Sequence, residues 1–318
     1  MGKTVLGVLS AAAIFAATSA HAVVLNHYTS LSIFGDSLSD PGNLFAATGG
    51  AVPANPPYPN GRFTNLEVWA EPVTRSFTGA ELHARNYAFG GANAVTNDDA
   101  VPDLEMQLGM ASATTPEQFG SRPMLMTFVG ANDGFDIVGL GTNKDVTATA
   151  VNAANTTIGS LGAFSAGTGV RDLAFFSLPD LGMTPAYGSN AALSAQASLF
   201  SDTFNATLDA GISNLRDGGF NVLKFDTQAV FDRFNEDPSA FGLASTTIPC
   251  VIPDVRICSA DEAKTLLFYD GVHPNNVGHE TVAGLVQDQI APVPLPPSLA
   301  FVLAGFGALL LAARKRPV

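Results

Sequence analysis

Five short apolar runs recur along the chain: Leu31–Phe34, Asn86–Phe89, Leu125–Val129, Leu173–Phe176 and Asn221–Phe225. Each has the length and the β-favouring residues of a buried strand. Segments with helical spacing lie between several of them. Phe200, Phe204, Leu208, Ile212 and Leu215 fall on one stripe, and Gly218-Gly219 ends it. Ser259 with Glu262 three residues later reads as a capping box opening another helix. A last helical segment runs from Asn275 to Gln289. Strand alternating with helix predicts an α/β fold, a parallel sheet covered by helices on both faces. In such sheets the ligand sits beyond the carboxyl ends of the strands, so reactive residues are sought there. Dividing 318 residues by a typical domain length suggests about two domains. No repeat or linker interrupts 29–290, however, and a single domain over 23–290 is the better expectation.

The two ends read as addresses. Lys3, an apolar run through Phe15 and the small-residue pattern Ala20-His21-Ala22 form a secretory signal over 1–22, with cleavage expected after Ala22. At the other end, over 291–318, a Pro-rich spacer at Val293–Ser298 precedes an apolar run from Leu299 to Ala313 and the basic triplet Arg314-Lys315-Arg316. That run is shorter than the ~20 residues that cross a bilayer comfortably. The basic triplet implies that its far end stays cytoplasmic. This tail resembles the PEP-CTERM sorting signals of Gram-negative bacteria, in their VPLPA-type form, with Pro297 where that form has Ala. The resemblance implies Sec-dependent export across the inner membrane and a periplasm-facing domain on a short transmembrane anchor. Release to the surface or medium by an exosortase would follow.

Charge and cysteine count narrow the function classes. Lys and Arg number 15 against 28 Asp and Glu, a net −13. Lys3, Arg314, Lys315 and Arg316 are the only charges in the two ends, so the body between them is more acidic still. No basic block is present, which argues against a nucleic-acid partner. A 47% hydrophobic content excludes a disordered chain. Two cysteines exclude a disulfide-dense scaffold and a four-cysteine zinc site.

Four motifs sit at strand ends or near the last helix. In Gly35-Asp36-Ser37-Leu38 a serine follows a strand and a turn; it is either a nucleophile or an ordinary turn serine. Gly90-Gly91 after a strand permits close backbone approach to a ligand, or a tight turn. Asn132, in Gly130-Ala131-Asn132-Asp133, can offer an amide donor to an oxyanion or close an Asx turn. Asp270, three residues before His273, can fold back onto the imidazole and leave its other nitrogen free as a base; a helix cap with an incidental histidine is the alternative. His21, His27, His83 and His279 have no such partner and read as structural or surface residues.

In this order the four motifs resemble the GDSL family of SGNH hydrolases. Pro56–Asn65, Val68-Trp69 and Ser177–Pro185 resemble its lipase-like branch. The resemblance covers most of 29–290 and implies a three-layer α/β/α fold on a flavodoxin-like parallel sheet of about five strands. It assigns Ser37 as nucleophile, His273 as general base and Asp270 as its orienting acid. The backbone N–H groups of Ser37 and Gly91 and the side-chain amide of Asn132 form the implied oxyanion hole. Asp133 is expected to be structural.

The expected activity is that of an exported serine esterase or lipase acting on carboxylic esters, needing neither cofactor nor metal. A carbohydrate or cell-wall O-acetylesterase is the alternative within the same chemistry. A non-catalytic surface binding module on the same scaffold is the alternative outside it. Export permits a disulfide between Cys250 and Cys258, which would close the short loop Val251–Ile257; two free thiols are the other reading. Substrate choice is expected in the loops 44–62, 134–146 and 230–257.

Overall fold

The computed structural model describes residues 24–25, 28–77, 83–113, 120–290 and 293–294. Two units are distinguished, one comprising the chain ends and the other His27–Ala291. Of the end unit the described part is a two-residue antiparallel pair, Val24–Leu25 with Val293–Pro294. The expected signal over 1–22 and the apolar run Leu299–Ala313 lie outside the described residues. No helix among the described residues is long and apolar enough to cross a membrane.

The larger unit is built on five parallel strands: β1 Ser30–Gly35, β2 His83–Asn86, β3 Pro123–Phe128, β4 Asp172–Phe176 and β5 Asn221–Phe225. Their order across the sheet is β2-β1-β3-β4-β5, all pairs parallel. This is the flavodoxin-like order, whose direction reverses between β1 and β3. The expected α/β architecture is therefore present, with helices flanking the sheet.

Four of the five expected strands coincide with observed ones to within two residues at each end. The exception is Asn86–Phe89, since β2 lies at His83–Asn86. β2 is an edge strand that pairs with β1 alone, and His83 is exposed while Ala84 to Asn86 are half-buried. Such a strand lacks the continuous apolar run that marks strands buried on both faces. Beyond it the backbone N–H groups of Tyr87 and Phe89 still donate to the carbonyls of Ile33 and Gly35, so the chain runs beside β1 up to Gly90-Gly91.

Three phenylalanines form a row across the ends of neighbouring strands. Phe128, Phe176 and Phe225 end β3, β4 and β5 as cross-strand neighbours. Phe128 and Phe176 stack at 4.7 Å, and Phe176 meets Phe225 and Trp69 at 4.7 Å each. Each such pair contributes about 0.5–1.5 kcal/mol beyond its buried area. Trp69 is buried, and its indole N–H donates to Ser39 Oγ at 3.1 Å. The core is thereby tied to the loop that carries Ser37.

The longest helix, Ala191–Asp217, buries Phe200, Phe204, Leu208 and Ile212 and ends at Gly218, as the stripe predicts. It packs against the helix Asn143–Thr168, whose start carries a reciprocal capping box between Thr142 and Asp145. The box expected at Ser259 forms by half. Ser259 Oγ accepts the Glu262 N–H at 3.2 Å, but the Glu262 carboxylate turns to Arg256, and the helix is only Ala260–Ala263. An available guanidinium competes better for a carboxylate than a neutral N–H does. The last helix spans Asn276–Ile290.

Candidate active site

Ser37 lies two residues past β1, at the reversal point of the sheet. Its loop is fixed from several directions by buried side chains. Asp40 accepts the N–H groups of Gly42 and Asn43 on Oδ1 and those of Leu44 and Gly90 on Oδ2. It therefore ties the serine loop to the Gly90-Gly91 turn. Gln107 is fully buried; its Oε1 accepts the Gly35 N–H at 2.9 Å and its Nε2 donates to the Gly35 carbonyl at 2.9 Å. Neither residue was given a role from sequence. Gln107 has no local signal, because its partner lies 72 positions away.

Across the cleft, Asp270 closes a tight Asx turn. Its Oδ1 accepts the backbone N–H groups of Val272 at 2.9 Å and His273 at 2.8 Å. That turn brings Oδ2 to 2.7 Å from His273 Nδ1. His273 Nε2 is 2.8 Å from Ser37 Oγ. The three expected residues thus form one continuous line, Asp270 to His273 to Ser37. The His273 and Asp270 side chains keep 15% and 11% exposure, which leaves the line reachable from the cleft.

The electrostatics suit a base poised on a hydroxyl. Burial alone would raise the Asp270 carboxyl. The His273 charge and hydrogen bond, with the two backbone N–H groups, outweigh it and hold the pKa at about 2. Burial alone would lower His273; the Asp270 charge and hydrogen bond, helped by Asp36, outweigh it and raise His273 above its ordinary 6.5. Asp36 itself is buried, and burial pushes its carboxyl up to about 7 despite the Leu38 N–H it accepts. His279 is buried, accepts the Trp69 backbone N–H on Nδ1 at 3.2 Å and is lowered to about 3, mainly by burial and then by His273. It is a neutral structural group.

The expected oxyanion donors converge less completely. Asn132 stands in the short helix Ala131–Phe135 after β3 and lines the same cleft as Ser37 and His273. Its Nδ2 donates to the Ala92 carbonyl at 2.9 Å, which orients the amide and leaves it a second hydrogen. The Gly90 N–H is committed to Asp40, and a Cβ at Gly90 would stand 2.1 Å from the Phe63 ring. Gly91 has φ +86, a conformation that strains other residues. Among the described residues the N–H groups of Ser37 and Gly91 donate to no acceptor. Gly91 is not among the residues lining the cleft. Asp133 accepts the Ala94 and Val95 N–H groups at 2.7 and 3.0 Å and so anchors the loop after Gly91.

The cleft that Ser37 and His273 line is partly open to solvent. Leu38, Phe135, Leu181, Met183, Phe231 and Phe268 give it an apolar wall, and Asp180 and Asp232 stand on its lining too. The wall departs from the expected loops. Of 134–146 only Phe135 takes part, of 230–257 only Phe231, Asp232 and Asn235, and of 44–62 nothing. The segment Pro179–Thr184 supplies a stretch that was not expected. Cys250 and Cys258 form a disulfide that closes the hairpin Val251–Ile252 and Arg256–Ile257. Among the described residues no group of three or more His, Cys, Asp or Glu side chains could hold a metal ion.

Comparison with known proteins adds a family match. Residues 31–286 match the family model described as GDSL-like lipase/acylhydrolase. A phosphatidylcholine-sterol acyltransferase of Aeromonas hydrophila is 30% identical over 234 residues, covering 70% of this chain and 65% of that protein. A thermolabile hemolysin of Vibrio parahaemolyticus is 24% identical over 269 residues, covering 78% of this chain and 60% of that protein. The chain thus spans less than two thirds of either relative. Among solved structures, an acetylxylan esterase from Geobacillus stearothermophilus is 16% identical with a TM-score of 0.44, covering 84% of this chain and 96% of that one. A carbohydrate acetylesterase from Sinorhizobium meliloti is 14% identical with a TM-score of 0.46, covering 82% and 97%.

Proposed function

The chain belongs to the GDSL-like lipase/acylhydrolase family, and on that premise we propose that it is a serine esterase or lipase that hydrolyses carboxylic esters through an acyl-enzyme on Ser37. The observation that carries this reading is the unbroken line from Asp270 Oδ2 through His273 to Ser37 Oγ, at 2.7 and 2.8 Å.

Each residue then has one task. Asp270 accepts the Nδ1–H of His273 and so leaves Nε2 unprotonated, facing Ser37. As Ser37 Oγ attacks the ester carbonyl, His273 takes its proton, and the carbonyl oxygen becomes an oxyanion. The N–H groups of Ser37 and Gly91 and the second amide hydrogen of Asn132 are the donors assigned to that charge. His273 gives the proton to the leaving alcohol as the C–O bond breaks. Water, deprotonated by the same nitrogen, then attacks the acyl-Ser37 ester and releases the acid.

The Asn132 role has a direct consequence. Asn132→Ala will lower kcat by about 10²–10³-fold with little change in KM, because the amide is used in the transition state. A change confined to KM would place Asn132 in substrate binding instead.

The apolar wall of Leu38, Phe135, Leu181, Met183, Phe231 and Phe268 supports an ester with an aliphatic acyl chain. A p-nitrophenyl ester series from acetate to decanoate, run beside acetylated xylan, tests this. We expect kcat/KM to rise beyond acetate and to exceed acetyl release from xylan. Preference for the glycan would favour a carbohydrate O-acetylesterase. Turnover of neither, by folded protein, would favour a binding module. The proposed site of action is outside the cytoplasm, in a domain of 23–290 flanked by the signal and the sorting tail. The Cys250–Cys258 disulfide supports that location, since such bonds persist in oxidising compartments.

A further inference from the structure

We propose that Tyr58 is a positioning residue of the site, fixing the Asp270 carboxylate and setting the basicity of His273; this rests on the serine-esterase reading above. The Tyr58 hydroxyl donates to Asp270 Oδ2 at 2.7 Å. That is the same oxygen that receives His273 Nδ1–H. With Val272 and His273 N–H on Oδ1, the carboxylate is held by four donors, two on each oxygen. A carboxylate so held cannot rotate about its last bond without breaking two of them.

Tyr58 is itself braced from the N-terminal side of Asp270. Tyr269, the residue just before Asp270, donates its hydroxyl to the Pro57 carbonyl at 2.6 Å. The two tyrosine rings meet edge to face at 5.8 Å. Each segment thus sends one hydroxyl to the other. Phe63 completes the clamp, 5.8 Å from the Tyr58 ring and 5.1 Å from the His273 ring. The disulfide packs beneath it, with Cys250, Val251 and Tyr269 in one buried cluster that Tyr58 and Cys258 join. Burial, and then the charge of Asp270, push the Tyr58 hydroxyl above its ordinary range, so it stays a donor at every working pH.

The electrostatic consequence has a definite sign. A donor on Oδ2 spreads the carboxylate charge and weakens its hold on the imidazolium. Removing the hydroxyl strengthens that hold and raises the pKa of His273. Asp36 raises His273 as well, while His279 stays neutral, lowered by burial and by the His273 charge.

The test is Tyr58→Phe, which keeps the ring contacts with Phe63 and Tyr269 and deletes one oxygen. Two readouts are compared with wild type: the pH profile of kcat/KM, and the NMR titration of the His273 ring, identified by its loss in His273→Gln. We expect kcat to fall about 10-fold with KM within about two-fold. The acid limb and the ring titration should both move to higher pH. An unmoved or lowered His273 midpoint overturns the inference, whatever happens to the rate, because a packing role alone would leave it in place. The NMR readout needs no turnover. If wild type hydrolyses no ester yet the midpoint rises in the variant, the esterase reading fails while the positioning of Asp270 and His273 stands.

Discussion

Ser37→Ala will lose roughly 10⁵–10⁶-fold in ester hydrolysis while remaining folded. The size follows from the covalent route: without Oγ there is no atom to form the acyl-enzyme, and His273 has nothing to deprotonate except water. The retained fold follows from how the loop is held. Asp40, Gln107 and the Trp69–Ser39 hydrogen bond fix it, and none of them uses the Ser37 hydroxyl. The lost Oγ–Nε2 hydrogen bond is worth about 1 kcal/mol of stability. Thermal unfolding of the purified variant beside its initial rate separates the two effects. A fall in activity of only a few-fold would remove Ser37 from the chemistry.

Asp270→Asn is the second large effect, about 10⁴-fold in kcat/KM near neutral pH. The amide preserves the shape of the Asx turn but removes the charge that raises His273. Burial then dominates, and the His273 pKa drops below its ordinary 6.5. The acid limb of the pH profile should therefore move to lower pH as the rate falls, because His273 is neutral over a wider range but no longer held in the productive tautomer. The shift is opposite in sign to the one expected for Tyr58→Phe. That contrast separates removal of the carboxylate charge from removal of a donor that disperses it. An acid limb that moved upward in Asp270→Asn would contradict the pairing of Asp270 with His273.

What the sequence made legible depended on distance along the chain. β1, β3 and β4 could be read because strands buried on both faces are continuous apolar runs, and β5, though at the other edge of the sheet, because Val222, Leu223 and Phe225 still mark it. β2 could not, since an edge strand of His, Ala, Arg and Asn carries no such run. The Asp270–His273 contact is local, three residues apart, and its turn is written in the residue types. Their places after strands made Ser37 and Asn132 candidates, and the ordered set of motifs that resembles the GDSL family gave them their expected roles. Tyr58 could not, because its hydroxyl meets Asp270 across 212 positions. Gln107 and the cleft wall at Pro179–Thr184 were hidden for the same reason: no period or spacing says which distant loop will close over a site. The capping pair at Ser259 shows a different limit. The local pattern is present, but Glu262 found a stronger partner in Arg256.

The central claim is that His273, held by Asp270, makes Ser37 a nucleophile. A fluorophosphonate reacts with such a serine by losing fluoride and leaving a stable phosphonyl ester on Oγ. Intact-mass measurement of the folded protein after exposure to the probe should show one added phosphonyl group, located to the peptide carrying Ser37 and absent from Ser37→Ala. Folded wild-type protein that takes up no label, or takes it up equally in Ser37→Ala, would contradict the account.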